Sequence, residues 1–168
     1  QPDQHNANRA RLAAIAAVVP FVVFAAVYVP MAGHGLIQDD FSWILRSRVA
    51  SLTDVIALFR SDNGFYRPMV SLTFAVNEWM FGATPYGYGL TNAALALACA
   101  WAIGGLARAL GLPRGAAVLA SALWLLNLHG IRMAVLWVSG RTALVLTLAA
   151  VLAATALVRG RLVPALAW

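Results

Sequence analysis

Four stretches with almost no charge limit what this chain can fold into more than any other feature. Residues 12–29, 90–107 and 142–158 carry no charged side chain, and residues 115–128 add fourteen more before His129. About 20 apolar residues cross the hydrocarbon core of a bilayer. The composition agrees: 62% of residues are hydrophobic and 11% are charged, against roughly 25% charged in soluble domains. The sequence therefore predicts an all-α, polytopic integral membrane protein. Its expected spans are about 12–30, 89–108, 115–138 and 142–158. Pro20 predicts a kink in the first. A cleaved signal peptide fits that run less well, because it exceeds the usual core of about 7–15 residues and no small-x-small site follows. The third span is either short, about 21 Å over its fourteen charge-free residues, or continues to residue 138 and carries His129 and Arg132 at the membrane boundary.

The basic residues suggest an orientation. All twelve are arginine and the net charge is +6. Arg9, Arg11, Arg108, Arg114, Arg159 and Arg161 flank one set of span ends. Short basic turns mark the cytoplasmic side. Residues 1–11 then form a polar cytoplasmic amino terminus, 12–158 the membrane domain and 159–168 a cytoplasmic end. The loop 31–88 faces the other side, and the expected location is a bacterial inner membrane with this loop in the periplasm or outside the cell. The arginines are dispersed, which suits anionic headgroups and excludes a nucleic-acid partner. The chain begins at Gln1 and ends just past an apolar run, so it is expected to be part of a longer protein.

The polar chemistry lies between the first two spans. Five of the six carboxylates, Asp39, Asp40, Asp54, Asp62 and Glu78, fall within residues 38–92. A short helix is expected over 41–45, capped by Asp40. Ser51-Leu52-Thr53-Asp54 reads as a capping box for a second helix reaching Arg60, and Ser61-Asp62-Asn63-Gly64 as a turn. Pro68 is placed to start a third helix running to about residue 81. Met69, Leu72, Val76 and Met80 share one face of it, so it is expected to lie along the membrane surface. Gly82 ends it, and the Gly, Pro and Tyr residues that follow are expected to form an interfacial aromatic belt. The amino-terminal residues 1–8 are expected to fray.

Three groups are candidates for a site. In an extended backbone, Asp39 and Asp40 point to opposite faces, so one meets a substrate while the other anchors the loop. A carboxylate partly desolvated at an interface is a stronger base. The structural alternative is that Asp40 caps a helix and Asp39 is solvated. Arg67, preceded by Tyr66 and followed by Pro68, stands at an expected helix start and can seat a phosphate, or pair with lipid headgroups. His129, Arg132 and Arg141 gather at the outer ends of the last two spans, where ionisable groups are functional candidates, or snorkel to the surface. His5, His34 and His129 are too scattered for a metal motif, Cys99 is the single cysteine, and no glycine-rich nucleotide loop is present. The sequence names no cofactor and leaves a divalent metal open.

These motifs occur in a recognisable order. A first span is followed by Asp39-Asp40, then Tyr66-Arg67-Pro68, then Tyr86-Gly87-Tyr88-Gly89-Leu90-Thr91-Asn92, then Trp137-Val138-Ser139-Gly140-Arg141-Thr142. That order resembles the amino-terminal part of GT-C glycosyltransferases, in the branch of the tetratricopeptide-linked transmembrane protein O-mannosyltransferases and their bacterial relatives. The Arg67-Pro68 element also resembles the basic-Pro-Pro motif of the lipid A aminoarabinose transferases. The resemblance covers about residues 12–158. It implies hexosyl or mannosyl transfer from a polyprenyl-phosphate sugar to a hydroxyl of a protein or glycan acceptor. It implies that Asp39 and Asp40 are the catalytic acid pair, and that Arg67 meets the lipid phosphate. Arg132, Arg141, His129 and Tyr66 are the other residues expected around that phosphate. Relatives often show His-Pro-x-His-x-Glu where this chain has His129-Gly130-Ile131-Arg132-Met133-Ala134. The carboxylate of that motif is absent at Ala134, and its role is not carried over. The competing classes are a transporter or channel component, which needs polar residues within the spans, and a non-catalytic membrane scaffold subunit.

Overall fold

A computed structural model describes residues 2–60 and 66–160. Eight α-helices account for most of them, and the described residues contain no strand. The helices are α1 (Pro2–Tyr28), α2 (Asp39–Arg46), α3 (Leu52–Ala57), α4 (Pro68–Phe81), α5 (Pro85–Ala109), α6 (Arg114–Leu125), α7 (Leu128–Leu136) and α8 (Arg141–Val158). Short 3-10 turns at Pro30–Gly33 and Val138–Gly140 follow α1 and precede α8. Pro85–Ala109 and Val138–Val158 are long and apolar enough to cross a membrane. At about 1.5 Å per residue, the 25 residues of α5 extend about 37 Å.

Several expectations need correction. Of the residues expected to fray, 2–8 are helical: α1 starts at Pro2, a residue suited to the first helical position. Its apolar part continues through the following turn as the stretch Ala17–Gly33. The third expected span is not one rod. It consists of α6 and α7, bent by 63° at the break, and counts as a third crossing only if the two are taken together. Asn127 makes the break, since its side-chain oxygen accepts from the Gly130 amide (3.4 Å) and starts a new helix. The stretch after Gly82, expected as an interfacial aromatic belt, is helical from Pro85. Pro85 starts α5, so Gly87, Tyr88 and Gly89 lie inside that helix and all three are buried. A Cβ on Gly89 would collide with the Ala32 backbone, so only glycine lets the two segments meet there. The turn at residues 61–64, Phe65 and Arg161 lie outside the described residues.

The core is built around α5, which packs most extensively against α6 and α8. Ala93, Ala96 and Ala100 of α5 meet Phe24 and Tyr28 of α1, Leu125, Ile131, Val135 and Leu144. Small side chains on α5 let the neighbouring helices approach its backbone, the usual device between membrane helices. At Gly104 a Cβ would stand 2.7 Å from the Ser121 hydroxyl oxygen of α6, and that hydroxyl donates to the Ala100 carbonyl at 2.7 Å. A second cluster of Ile44, Val70, Phe74, Tyr88 and Val138 joins α2 and α4 to the top of α5 and α8. The segment between α1 and α5 is thus folded onto the bundle.

Three local expectations for that segment hold, while α3 ends at Ala57, short of the expected Arg60. Ser51 and Asp54 form both halves of a capping box at the start of α3. Pro68 starts α4 and Gly82, at φ 56°, ends it. Met69, Val76 and Met80 of α4 are exposed, while Val70, Phe74 and Ala75 are buried beneath them. The Asp54 carboxyl is held below the usual carboxylate range, first by the Ala50 amide and then by the Ser51 hydroxyl. A depressed value contributes stability in full above the ordinary carboxylate pKa, about 4. That contribution disappears as the pH falls through the lower, folded-state value. The Ala50 and Ser51 amides should therefore lose protection against hydrogen exchange on acidification before the bundle does, and Asp54→Ala should remove the effect. Protection that is independent of pH down to global unfolding would contradict it.

Candidate functional site

Once α2 starts at Asp39, helical periodicity builds one wall of a cleft. Asp39, Ser42, Trp43 and Arg46 stand at i, i+3, i+4 and i+7, on one helix face. The carboxyl end of α3 contributes Ala57, Leu58 and Arg60, and the amino end of α4 contributes Tyr66, Arg67 and Ser71. The cleft encloses about 470 Å³, within the ~300–1,000 Å³ common for small-ligand sites. One carboxylate, three guanidinium groups, a phenol and an indole share it. Three of the seven expected site residues, Asp39, Tyr66 and Arg67, come together here. Asp40, His129, Arg132 and Arg141 do not line it.

The backbone entering α2 is strained. Gln38, just before Asp39, has φ 43° and is the one described non-glycine residue at positive φ. Such strain costs about 1–3 kcal/mol and persists where the surroundings over-determine it. Here the surroundings are the Asp40 carboxylate, which is fully buried. Its Oδ2 accepts from the Ile37 amide at 2.9 Å. Its Oδ1 accepts from the Ser139 amide at 2.8 Å and from the Ser139 hydroxyl. The helix therefore does not begin after Asp40, and Asp40 is not its cap; Gln38 occupies that position and makes no side-chain cap bond. Asp40 instead ties the start of α2 to the turn before α8. Both carboxylates are in a helix, not in extended backbone, so the alternation expected of a strand does not apply. They diverge all the same, being one residue and about 100° apart around the helix. Asp39 is exposed to the cleft, and the Trp137 indole N–H donates to its Oδ1 at 3.3 Å.

Arg141 was expected at the phosphate, and its burial places it elsewhere. It has no solvent-accessible surface. Its Nε donates to Asn92 Oδ1 at 2.8 Å and one terminal nitrogen donates to the Tyr88 carbonyl at 3.0 Å. The other terminal nitrogen reaches Thr73 Oγ1 at 3.5 Å. The guanidinium carbon lies 4.5 Å from the centroid of the Phe74 ring, the ring on which Trp43 stacks at 5.7 Å. Asn92 continues the network. Its amide nitrogen lies 3.3 Å from the Ala134 and Val135 carbonyls and 3.2 Å from those of Trp137 and Val138. The first two carbonyls belong to the last turn of α7, which has no intrahelical donors, and the other two to the turn that follows it. Gly140 completes the turn, since a Cβ there would stand 2.5 Å from the Met133 carbonyl oxygen. Trp137, Ser139, Gly140 and Arg141 thus hold the acid pair and the floor of the cleft.

His129 and Arg132 are exposed on α7. Arg46 and Arg60 are the two charged cleft residues that the sequence reading missed. Arg46 was legible: a helix drawn from Asp39 puts it seven residues on, on the same face. Arg60 had no such signal, because only the folded chain brings the residues after α3 to the cleft.

Comparison of the chain with protein-family models, curated proteins and solved structures finds no match. The chemistry of the cleft is therefore read from its residues alone. One carboxylate among three guanidinium groups is a poor cradle for a cation. Among the described residues, no group of three or more His, Cys, Asp or Glu side chains converges on a metal site. The cleft suits an anion, and guanidinium is the side chain best matched to phosphate oxygens.

Proposed function

We propose that this protein is a membrane glycosyltransferase that moves a sugar from a polyprenyl-phosphate donor to an acceptor hydroxyl on the non-cytoplasmic face. The observation that carries this reading is the placement of Asp39 in one cleft with Arg46, Arg60 and Arg67. Glycosyl transfer of this kind needs a base for the acceptor proton and positive charge for the leaving phosphate. In the proposed step, the acceptor oxygen forms a bond to the anomeric carbon and its proton passes to the Asp39 carboxylate. The bond from the anomeric carbon to the phosphate oxygen breaks, and its electron pair leaves with the polyprenyl phosphate. The arginines meet the charge that grows on that phosphate, and interactions that strengthen as charge develops lower the barrier. The exposed Tyr66 phenol offers the phosphate a further donor. The order of motifs shared with GT-C enzymes supports the reading, and so does the arginine distribution for the sidedness.

Donor binding tests it. Arg67→Ala and Arg46→Ala should each weaken binding of a polyprenyl-phosphate sugar by roughly ten- to a hundredfold, since a lost charge-assisted contact costs about 1.5–3 kcal/mol. Titration of the purified protein with a short-chain donor analogue reads this directly. Unchanged affinity in both variants would remove the phosphate from the cleft and the reading with it.

A further inference from the structure

A second cavity lies at the other end of the bundle. From Tyr88 to Arg108 α5 rises about 30 Å, the thickness of a hydrocarbon core. There α1, α5 and α6 enclose a groove of about 430 Å³. Phe21 and Val118 line its apolar walls and Arg108 and Arg114 stand on either side of the α5–α6 turn at one end. Trp101, Gly105 and Arg108 run along one face of α5 at i, i+4 and i+7, and Trp101 is 75% exposed.

The glycine is the informative residue. Its neighbour Gly104 is explained by helix packing, because a Cβ would press on Ser121. Gly105 is not: a Cβ there meets nothing within 4 Å. Glycine within a helix is disfavoured relative to alanine, so packing within the fold gives no reason for it. What it does is leave the floor of the groove open beneath two cations. Apolar walls with positive charge at one end match an acyl chain that carries an anionic head. Arg108 donates to the Leu112 carbonyl through one terminal nitrogen at 2.5 Å, keeping the guanidinium at the turn. Arg114 makes no hydrogen bond or ion pair with the described residues.

We infer that this groove is a binding site for an anionic phospholipid of the surrounding bilayer, with its headgroup at Arg108 and Arg114 and an acyl chain over Gly105. The inference does not depend on sugar transfer. Native mass spectrometry of the detergent-purified protein tests it, with dioleoylphosphatidylglycerol and dioleoylphosphatidylcholine at equal concentration. One phosphatidylglycerol should be retained in about tenfold or greater preference, as two arginines near a headgroup provide. Gly105→Leu puts a side chain into the groove from a position where an added Cβ meets nothing within 4 Å, so it should keep its unfolding temperature and lose that lipid by about tenfold. Arg114→Gln should reduce the preference for phosphatidylglycerol over phosphatidylcholine while leaving acyl-chain binding. No preference in the unaltered protein, as when another protein segment fills the groove, would overturn the inference. So would equal phosphatidylglycerol retention by Gly105→Leu.

Discussion

Asp39→Asn is expected to lower sugar transfer by roughly 10²–10⁴-fold, the usual contribution of a positioned general base, with the fold and donor binding retained. The carboxylate is exposed, and its one described partner is a donor, the Trp137 indole. An asparagine carbonyl accepts that bond equally well, so the substitution removes basicity and little else. Asp40→Asn should behave in the opposite way. Asp40 accepts from the Ile37 amide, the Ser139 amide and the Ser139 hydroxyl in a fully buried position. An amide turns an NH₂ towards at least one of those donors, and a buried group left without its partner costs about 1–3 kcal/mol. The expected result is a lower unfolding temperature, with activity lost only as far as the fold is lost. Single-turnover transfer rates and melting curves for the two variants separate the roles. Full activity in Asp39→Asn would end the assignment of a base to the cleft. A stable but inactive Asp40→Asn would transfer it to the neighbouring residue.

Arg141→Ala should destabilise the protein by about 2–5 kcal/mol, because it opens a cavity in the core and leaves buried acceptors without their donors. The loss comes from several places at once. Asn92 Oδ1 and the Tyr88 carbonyl lose their donors, Phe74 loses the cation over its ring, and a cavity opens beneath Trp43. Arg141→Lys should recover only part of this, because an ammonium lacks the planar fork that reaches both acceptors. Thermal unfolding in detergent measures the effect. Had Arg141 held the lipid phosphate, alanine would leave stability nearly unchanged and weaken donor binding instead. That pattern would return Arg141 to the site and contradict its buried position. Arg67→Ala, at a residue exposed in the cleft, should by contrast weaken donor binding.

Residues with strong local signals behaved as the sequence led one to expect. Ser51 and Asp54 formed their capping box, Pro68 opened α4 and Gly82 closed it. Each of these choices is made by the backbone and its immediate neighbours, within four residues of the chain. The apolar runs likewise became helices, two of them long enough to cross a membrane. Where the reading failed, a partner distant in the chain had intervened. Asp40 looked like a helix cap because capping is the commonest local use of aspartate. Its actual partner, Ser139, lies 99 residues away. Arg141 looked like a ligand because an isolated arginine at a span end offers its charge to whatever is outside. Asn92, 49 residues away, and the Tyr88 carbonyl take that charge inside. Tyr88 and its glycines looked interfacial because glycine and proline usually interrupt helices. Close approach to Ala32 and to the Phe81 ring gives those glycines another reason to be there.

What the sequence determined by itself is the helical class, the apolar stretches and the gathering of five of the six carboxylates in one segment, because hydrophobic periodicity and local capping act over a few residues. Only the tertiary structure decided which of the two adjacent aspartates faces a cleft, and which arginines face it with that aspartate. That decision belongs to the turn before α8, where the Ser139 amide and hydroxyl bind Asp40 and the Trp137 indole meets Asp39. A buried carboxylate must find donors, and besides the Ile37 amide it found them 99 residues away, at Ser139. Its neighbour was left exposed in the cleft with Arg46, Arg60 and Arg67.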